Sequence, residues 1–336
     1  MSEAANNSTP YEGLTPDVML TAVDSTGRRT DGTLLALNSY ENRVYQVGIE
    51  DLAPLVAKFY RPGRWSDAAI LEEHAFVQEL AVREIPVVAP IAAADGNTLF
   101  HYAGYRFALF PRQGGRAPDL ENPDQLEWLG RFMGRIHAVG AVKPFKHRAA
   151  IDIATLGQGP RDWLLTTDFL PPELAPRYRE ITGLLLAAIG RCFERAGEFR
   201  KLRLHGDCHP GNVLWTDAGP HFVDFDDCAT GPAVQDLWML LSGSREEMQQ
   251  QLSTVLEGYE QFMEFDAREL WLIEALRALR MIHYAAWIAR RWDDPAFPRA
   301  FTFFAQPRFW EEHVQALREQ LPLLDEPPLQ LDPGNR

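Results

Sequence analysis

The 336-residue sequence has few cysteines and lacks the segments that direct a protein into or across a membrane. Its three cysteines, Cys192, Cys208 and Cys228, cannot form a disulfide framework and suit a reducing compartment. The first residues, MSEAANNSTPYEG, have neither the basic nor the apolar region of a signal peptide. No stretch approaches the ~18 uncharged apolar residues of a membrane span. These absences predict a cytoplasmic protein that does not enter a membrane.

Basic residues are scarce relative to acidic ones. The chain has 33 Lys and Arg against 47 Asp and Glu, which gives a formal net charge of −14. A general binder of nucleic acids or anionic membranes needs a basic surface, so this balance argues against both classes. Hydrophobic residues make up 46% of the chain, enough to bury a sizeable core in two domains or in one large two-lobed unit.

The apolar pattern of the first third of the chain predicts a sheet with one inserted helix. Residues 1–16 are polar and are predicted to form a mobile tail, followed by a short helix over residues 17–27. Apolar residues at helical spacing predict a second helix over residues 67–85, which Pro86 ends. Strands are predicted within residues 34–48, 54–62, 87–93, 98–104 and 105–111. Residues 17–112 are therefore predicted to form a small, mostly antiparallel β-rich lobe.

A linker rich in Pro and Gly, residues 113–118, separates this lobe from a helical part. Helices are predicted over residues 122–139, 160–166, 176–198, 232–242, 245–263 and 266–292. A short β-rich region around residues 202–225 interrupts them. A small β-rich lobe and a larger, mainly helical lobe over residues 119–336 predict an α+β protein with a ligand cleft between the lobes.

Residues 205–212, HGDCHPGN, combine reactive side chains in a predicted loop. Asp207 precedes Asn212 by five positions, the spacing of the kinase catalytic loop. In that loop the Asp accepts the proton of the substrate hydroxyl and the Asn binds Mg²⁺. Two strands follow, VLW and HFVDF, and they place Asp224 at a hairpin end near Asn212. Their oxygens suit a hard cation such as Mg²⁺, whereas Asp224 taken alone is also typical of a strand-end turn.

A lysine on a strand and an acidic helix after it have the order of the kinase clamp for ATP phosphates. Lys58 lies in the apolar strand VAKFY, although a strand lysine can equally face solvent. Glu73 is the preferred acidic partner, Glu72 the second choice, and Glu79 a further candidate. No G-x-G-x-x-G lies between the first strands. NSYENR takes its place, and Ser39 in it is predicted to contact a phosphate.

The same residues partly fit other functions. GDCHPGN resembles half of a metallophosphoesterase pattern, but the chain has no upstream D-x-H and no downstream GNH. His205, Cys208 and His209 are zinc-ligand types, but no second Cys/His pair lies at ligand spacing. A pseudokinase that serves as a binding module would lack a member of the predicted catalytic set, and all members are present. The Arg and aromatic residues within 277–292 predict packing plus a solvated face.

Seven motifs, in order, resemble one known family. They are LNSYENRVYQ, VAKFYRPGRW, LEEHAF, RLHGDCHPGN, FVDFDD, GPAVQDLWMLL and RRWDDPAFP. HGDxHPGN with a VDFD-type element is similar to the aminoglycoside-phosphotransferase/choline-kinase branch of the protein-kinase-like fold. The full set is similar to the stress response kinase A family of bacterial Ser/Thr protein kinases, over about residues 17 to 330.

The resemblance implies a two-lobed protein-kinase-like fold, with a small antiparallel β-rich N-lobe containing one helix and a larger, mainly helical C-lobe. It implies an enzyme that uses ATP and Mg²⁺ (or Mn²⁺), acts in a stress response and is itself a phosphoprotein. Asp207 would be the proton acceptor. Asn212 and Asp224 would bind the metal, with Asp224 also counted as catalytic. The remaining implied roles are ATP contacts by Ser39, Lys58 and Glu73, a brace under the loop by Asp236, and an adenine edge near residues 107–112.

The residues and the resemblance disagree on the acceptor. Asp224 and Asp236 are only twelve positions apart, too close for an activation segment that docks a peptide. That spacing favours a small alcohol such as an amino sugar, choline or a sugar, whereas the resemblance favours Ser/Thr of proteins. Because the ordered motifs outweigh one loop length, the prediction is a monomeric Ser/Thr protein kinase. Its partners would be ATP and a protein substrate, with a small-molecule kinase as the alternative.

Overall fold

The computed structural model of the chain describes residues 9–331 and begins with a lobe built around one antiparallel sheet. The strands follow the order β1-β2-β3-β5-β4, with bounds β1 Thr30–Ala36, β2 Arg43–Ile49, β3 Leu52–Phe59, β4 Phe100–Tyr102 and β5 Tyr105–Pro111. β3 is the middle strand, and Lys58 on it pairs with Val44 of β2 and Ala108 of β5. Neighbours on both sides therefore fix the position of the Lys58 backbone.

Two helices accompany the sheet, α1 (Pro16–Asp24) and α2 (Asp67–Val82). α2 begins where the Ser66 hydroxyl accepts a hydrogen bond from the Ala69 N–H, which caps its first turn. The inserted helix predicted over residues 67–85 is thus confirmed and ends slightly earlier, at Val82. Its buried face includes Glu73, which is only 3% exposed.

The prediction of a mobile tail over residues 1–16 needs correction. Residues 1–8 lie outside the described residues, and residues 9–16 pack against the sheet. The Tyr11 hydroxyl lies 3.2 Å from the Glu41 carbonyl oxygen and 3.3 Å from that of Phe59, within hydrogen-bonding distance of both. The Arg43 guanidinium lies 4.3 Å from the centre of the Tyr11 ring. The segment ahead of α1 is therefore held by specific contacts.

The strand predicted for residues 87–93 is wrong. Val87 forms only an isolated bridge with Phe222 of the helical lobe. Pro90 has no N–H group, so a ladder of backbone hydrogen bonds cannot continue through it. The Val88 N–H instead donates to the Phe222 carbonyl oxygen at 3.1 Å. The segment therefore connects the two lobes.

The second lobe is mainly helical and contains the larger core. Its helices are α3 Pro123–Gly140, α4 Gly159–Leu164, α5 Ala175–Ala196, α6 Val234–Trp238, α7 Arg245–Tyr259, α8 Ile273–Ala289, α9 Ala296–Ala300 and α10 Pro307–Leu323. α3 packs closely on α7, because a Cβ at Gly130 or Gly134 would collide with backbone carbonyl oxygens of α7. Within residues 9–331, no helix has the length and apolar character needed to span a membrane.

Several helix bounds differ from those predicted. The helix predicted over residues 232–242 is shorter in the structure, where α6 spans only Val234–Trp238. The helix predicted over residues 266–292 is a 3₁₀ segment (Ala267–Leu272) followed by α8. α9 and α10 were not predicted. α10 nevertheless has an ordinary amphipathic signal, since Trp310, Val314 and Leu317 are buried at helical spacing.

Two short antiparallel strand pairs hold the functional loops at the junction of the lobes. β6 (Leu202–Leu204) pairs with β9 (Ala229–Gly231), and β7 (Val213–Thr216) pairs with β8 (Gly219–Phe222). The loop 205–212 leaves β6 and enters β7, and the loop 223–228 leaves β8 and enters β9. Each loop therefore runs from one of these two strand pairs to the other.

Glu269 predicts a measurable dependence of stability on pH. It is 2% exposed, its Oε2 accepts a hydrogen bond from the Val234 N–H at 2.9 Å, and burial raises its pKa to about 7. The folded state therefore holds a proton that the unfolded state releases near pH 4.5, so stability is lost as pH rises from 4.5 through 7. Glu269→Gln should remove this loss, which amounts to at most about 3 kcal/mol.

Urea unfolding at pH 5 and pH 8 would measure the difference. The variant should gain stability relative to the parent at pH 8 but not at pH 5. Glu312→Gln is the matched control, because the Glu312 side chain is 62% exposed. Equal responses of the two variants to pH would contradict the assignment to Glu269.

Candidate active site

The loop that contains Asp207 rests on one buried carboxylate. Asp236, on α6 and fully buried, accepts hydrogen bonds from the His205 and Gly206 N–H groups, both at 2.8 Å. Its Oδ2 also lies 3.1 Å from His137 Nε2. Gly206 has a φ of +86°, a conformation that favours glycine. The loop is therefore fixed at its base by a group that a short helix brings under it.

Asp207 lies on the wall of a cavity between the lobes, with both carboxylate oxygens near cationic or polar partners. Arg280 Nη1 donates to Asp207 Oδ1 at 2.6 Å, and His209 Nε2 lies 3.6 Å from Oδ2. Asn212 Nδ2 donates to the Asp207 backbone carbonyl at 2.9 Å. The loop therefore fixes the spacing between these two side chains.

Asp224 lies beside Asn212, as the hairpin predicts. The Val223 N–H donates to the Asn212 carbonyl oxygen at 3.0 Å. Asp224 itself adopts a left-handed conformation (φ 59°, ψ 63°), which turns the chain sharply after β8. Its side chain is 52% exposed, and Asn212 Oδ1 accepts no hydrogen bond from the described residues. A half-exposed carboxylate and a free amide oxygen fit a hard cation that keeps several other oxygen ligands.

Lys58 reaches the same place from the other lobe. Its Nζ lies 3.0 Å from an oxygen of Asp224, 3.0 Å from Asp226 and 3.8 Å from Glu73. Burial alone would lower the pKa of Lys58, but the three carboxylates outweigh it and hold that pKa well above its ordinary value. The Lys58 side chain is therefore a buried ammonium that faces the cleft and not solvent.

The acidic candidates on α2 have different contacts. Glu73 lies near Lys58, and burial raises its pKa to about 7 although Lys58 and Arg148 act in the opposite direction. Glu72 instead accepts hydrogen bonds from three consecutive backbone N–H groups, those of residues 146–148, at 2.6–3.0 Å. Glu79 pairs with Arg203 at 3.0 Å. Only Glu73 among these three contacts Lys58.

Sequence reasoning missed one buried acid of the site, Asp226. It is 3% exposed and lies between Lys58, Arg64 and Arg148. Burial would raise its pKa, but these cations, Arg64 first, lower it below its usual range. Arg64 also donates to Asp227 at 2.5 Å. The acidic run FVDFDD could have signalled a second functional acid, but the run alone does not distinguish its members.

Ser39 lines the cavity, whose volume is 440 Å³, together with Asp207 and Asp224. The loop that bears Ser39 is held to the C-terminal end of α8. Glu41 accepts a hydrogen bond from Trp287 Nε1 at 2.9 Å and pairs with Arg291. The N-lobe loop thus covers one side of the cavity.

A second connection near this loop was also missed. Asp294, 1% exposed, accepts hydrogen bonds from Arg43 at 2.6 Å and from Arg61 at 2.8 Å. Both arginines belong to the β-rich lobe, at the start of β2 and just after β3. The motif RRWDDPAFP, which contains Asp294, contributed only to the resemblance. Its contacts lie more than two hundred residues away in sequence, so local patterns do not indicate them.

Part of the adenine edge predicted near residues 107–112 is internal to the sheet. Phe107, Ala108 and Leu109 are buried on β5. Residues 110–112 are more accessible, and none of the predicted edge lines the cavity.

The zinc-ligand types of the loop have other surroundings. His205 Nε2 lies 2.9 Å from the Val223 carbonyl oxygen, and His209 Nδ1 accepts a hydrogen bond from the Gly211 N–H. Burial raises the pKa of the Cys208 thiol well above its ordinary value. Within the described part of the chain, no three His, Cys, Asp or Glu side chains are grouped to hold a metal ion.

Solved structures show which fold this is. Amicoumacin kinase in complex with AMP-PNP, Ca²⁺ and Ami has a TM-score of 0.67 and 19% identity, and the match covers 90% of this chain and 91% of that one. The microcompartment-associated aminopropanol kinase also has a TM-score of 0.67, with 20% identity, covering 94% and 100%. The predicted α+β, two-lobed protein-kinase-like fold is confirmed.

Sequence comparison shows the family. Stress response kinase A of Escherichia coli (strain K12) is 46% identical over 328 residues, or 98% of this chain and 99% of that protein. Serine/threonine protein kinase RdoA of Salmonella typhimurium (strain LT2) is 45% identical with the same coverage. The APH family, described as a phosphotransferase enzyme family, matches residues 33–271. The chain therefore belongs to this phosphotransferase family and is similar to stress response kinase A over nearly its whole length.

Proposed function

We propose that this protein is an ATP-dependent kinase that transfers the γ-phosphate of ATP to Ser or Thr hydroxyls of proteins. One observation carries the proposal: Lys58 of the β-rich lobe contacts Asp224 of the helical lobe, and Asp224 and Asp207 line the same cavity. Phosphoryl transfer needs a cation for the phosphates, oxygen ligands for a divalent metal and a base beside the acceptor hydroxyl. These three residues supply one of each.

The positions of the side chains support the following proposed roles. Asp207 accepts the proton of the attacking hydroxyl as the oxygen bonds to the γ-phosphorus and the bond to the ADP oxygen breaks. Lys58, oriented by Glu73, contacts the α- and β-phosphates, and Ser39 contacts a phosphate from the covering loop. Asn212 and Asp224 hold Mg²⁺ or Mn²⁺, which neutralises phosphate charge when bound. Asp236 keeps the loop in place through two backbone N–H groups.

The acceptor is the finer part of the proposal. The name of the Salmonella relative, serine/threonine protein kinase RdoA, supports a protein hydroxyl. The alternative, a small alcohol, is supported by the names of the structural neighbours, an amicoumacin kinase and an aminopropanol kinase. It is also favoured by the short connection from Asp224 to Asp236, most of which is taken up by a 3₁₀ turn (Phe225–Asp227), β9 and the start of α6.

Labelled ATP would decide between the two acceptors. The protein is incubated with Mg²⁺ and γ-labelled ATP, alone, with a generic protein substrate, and with a panel of amino sugars, choline and sugars. We expect label on Ser or Thr, of the enzyme itself or of the added protein, and slow transfer because little surface is available to dock a peptide. Rapid turnover of one small alcohol without protein label would overturn the protein acceptor and leave the kinase chemistry in place.

Lys58→Ala should impair productive use of ATP. The substitution removes the point charge near the phosphates and leaves Asp226 and Glu73 without their shared cation. We expect a higher KM for ATP and a lower kcat, measured as ADP release. Lys143→Ala is the matched control, because the 60% exposed Lys143 pairs with Glu79 at 3.2 Å away from the cavity. Unchanged kinetics in Lys58→Ala would remove the phosphate role of this residue.

A further inference from the structure

One face of α8 forms a wall of the cavity. Residues spaced three or four positions apart along this helix line it: Leu276, Arg280, His283, Tyr284 and Trp287. The Tyr284 and Trp287 rings stack with centroids 6.0 Å apart and an interplanar angle of 15°. The wall adjoins Asp207, because Arg280 donates a hydrogen bond to it. An acceptor bound against this wall would therefore lie beside the proposed base.

Arg280 is the cation of this wall with spare donors. Its guanidinium forms one hydrogen bond within residues 9–331, to Asp207 Oδ1, and its side chain is 46% exposed. A guanidinium has five N–H donors, so most of them remain available to a ligand. Arg64 and Arg291, also at the cavity, are engaged by Asp226 and by Glu41.

The carboxylates at the cavity other than Asp207 each already contact a cation. Asp226 and Asp227 contact Arg64, Asp224 contacts Lys58, and Glu41 contacts Arg291. α8 contains one acidic residue, Glu274, which pairs with Arg277 and Gln320. His283 adds no charge, because burial lowers its pKa to about 4. The acceptor wall therefore presents an aromatic surface and a positive charge.

We infer that Arg280 selects acceptors that carry an anionic group, such as a carboxylate, close to the hydroxyl. Without an acceptor, Arg280 pairs with Asp207. The anionic group of the acceptor replaces Asp207 as the partner of the Arg280 guanidinium. The acceptor hydroxyl then lies beside the Asp207 carboxylate oxygen that Arg280 has left. Cationic acceptors such as choline or amino sugars are disfavoured by the same charge. The inference rests on the proposed function and narrows its substrate to Ser or Thr in acidic peptides.

Three peptides test it, identical except that the Ser is flanked by Glu, Gln or Lys. The parent protein should use them in the order Glu, Gln, Lys, with kcat/KM for Glu over Gln about tenfold, the size of one charge-assisted contact. Arg280→Ala should abolish this ratio mainly by raising KM for the Glu peptide. Arg280→Lys should retain part of it, and Arg280→Glu should move the preference toward the Lys peptide.

Arg308 is the matched control, because it also pairs with one carboxylate but lies outside the cavity. Arg308 forms one ion pair with Glu312, also at 2.6 Å, on the exposed face of α10. Arg308→Ala should keep the parent ratio, and the Tm of each variant reports whether it folds. A Glu-to-Gln ratio that survives Arg280→Ala would overturn the role of Arg280.

Two further measurements distinguish failure of this inference from failure of the protein-acceptor proposal. Dissociation constants of the three labelled peptides with Mg²⁺ and AMP-PNP, measured by fluorescence anisotropy, need no turnover and should follow the same order. If no peptide is phosphorylated, a hydroxy acid and the matched amino alcohol replace the peptides as acceptors. Preference for the hydroxy acid that depends on Arg280 keeps the inference without the protein acceptor. Tighter binding or faster turnover of the cationic partner in both arms would overturn it.

Discussion

Asp207→Asn should lower turnover by about 10²–10⁴-fold, the usual contribution of a positioned general base. Asn keeps the size of the side chain and can still accept a hydrogen bond from Arg280, but it cannot take a proton from the acceptor hydroxyl. The loop around it is fixed by Asp236 and not by Asp207, so the fold should survive. Steady-state ADP release with Mg·ATP measures the loss, and the Tm of the variant confirms that the loop is intact.

The chain offers a close control for this experiment. Asp217 lies in the exposed turn between β7 and β8, in the same part of the chain but away from Asp207. Asp217→Asn changes one carboxylate to an amide and should leave kcat and KM as they are. If Asp207→Asn kept nearly full turnover, the proton acceptor would have to be another group and the kinase-loop assignment would fall.

The parts of the site that share one local pattern could be predicted from the sequence. The five-residue spacing of Asp207 and Asn212, followed by a predicted hairpin, is enough to bring Asp224 beside them. Lys58 and the acidic α2 come next to each other in sequence, so their contact follows from strand and helix order. Glu73 could be preferred over Glu72 because the helical periodicity of α2 indicates which face of the helix turns inward.

Features that depend on distant contacts or backbone donors could not be predicted in this way. Residues 87–93 read as a strand because they are apolar, but Pro90 interrupts the ladder and the segment pairs with β8. The helix expected over 266–292 begins as a 3₁₀ segment, because Asp266 caps that turn and α8 starts only at Ile273. Asp226 is surrounded by three cations that lie on separate segments of the chain. No spacing rule relates Asp226 to Arg64 or Arg148.

Asp294→Ala should be among the most destabilising single substitutions in the chain. The side chain is buried, and its two oxygens accept hydrogen bonds from Arg43 and Arg61 of the other lobe. Removing it leaves two guanidinium groups without this carboxylate in a largely buried site. Breaking a buried ion pair from one side typically costs about 3–5 kcal/mol. We therefore expect a loss of that size in the free energy of unfolding, measured in urea at neutral pH.

A substitution of the neighbouring acid, Asp293, distinguishes loss of the buried contact from the general effect of removing one negative charge. Asp293 is exposed, so Asp293→Ala should leave stability within about 0.5 kcal/mol of the parent. Arg43 and Arg61 flank the loop that bears Ser39, so Asp294→Ala should also raise KM for ATP at temperatures where the variant is folded. A variant with lower stability but an unchanged KM would confine Asp294 to holding the lobes together. Equal stability of the Asp293 and Asp294 variants would contradict the buried contact between the lobes. If Asp294 were solvated, its removal would not leave Arg43 and Arg61 buried without a carboxylate.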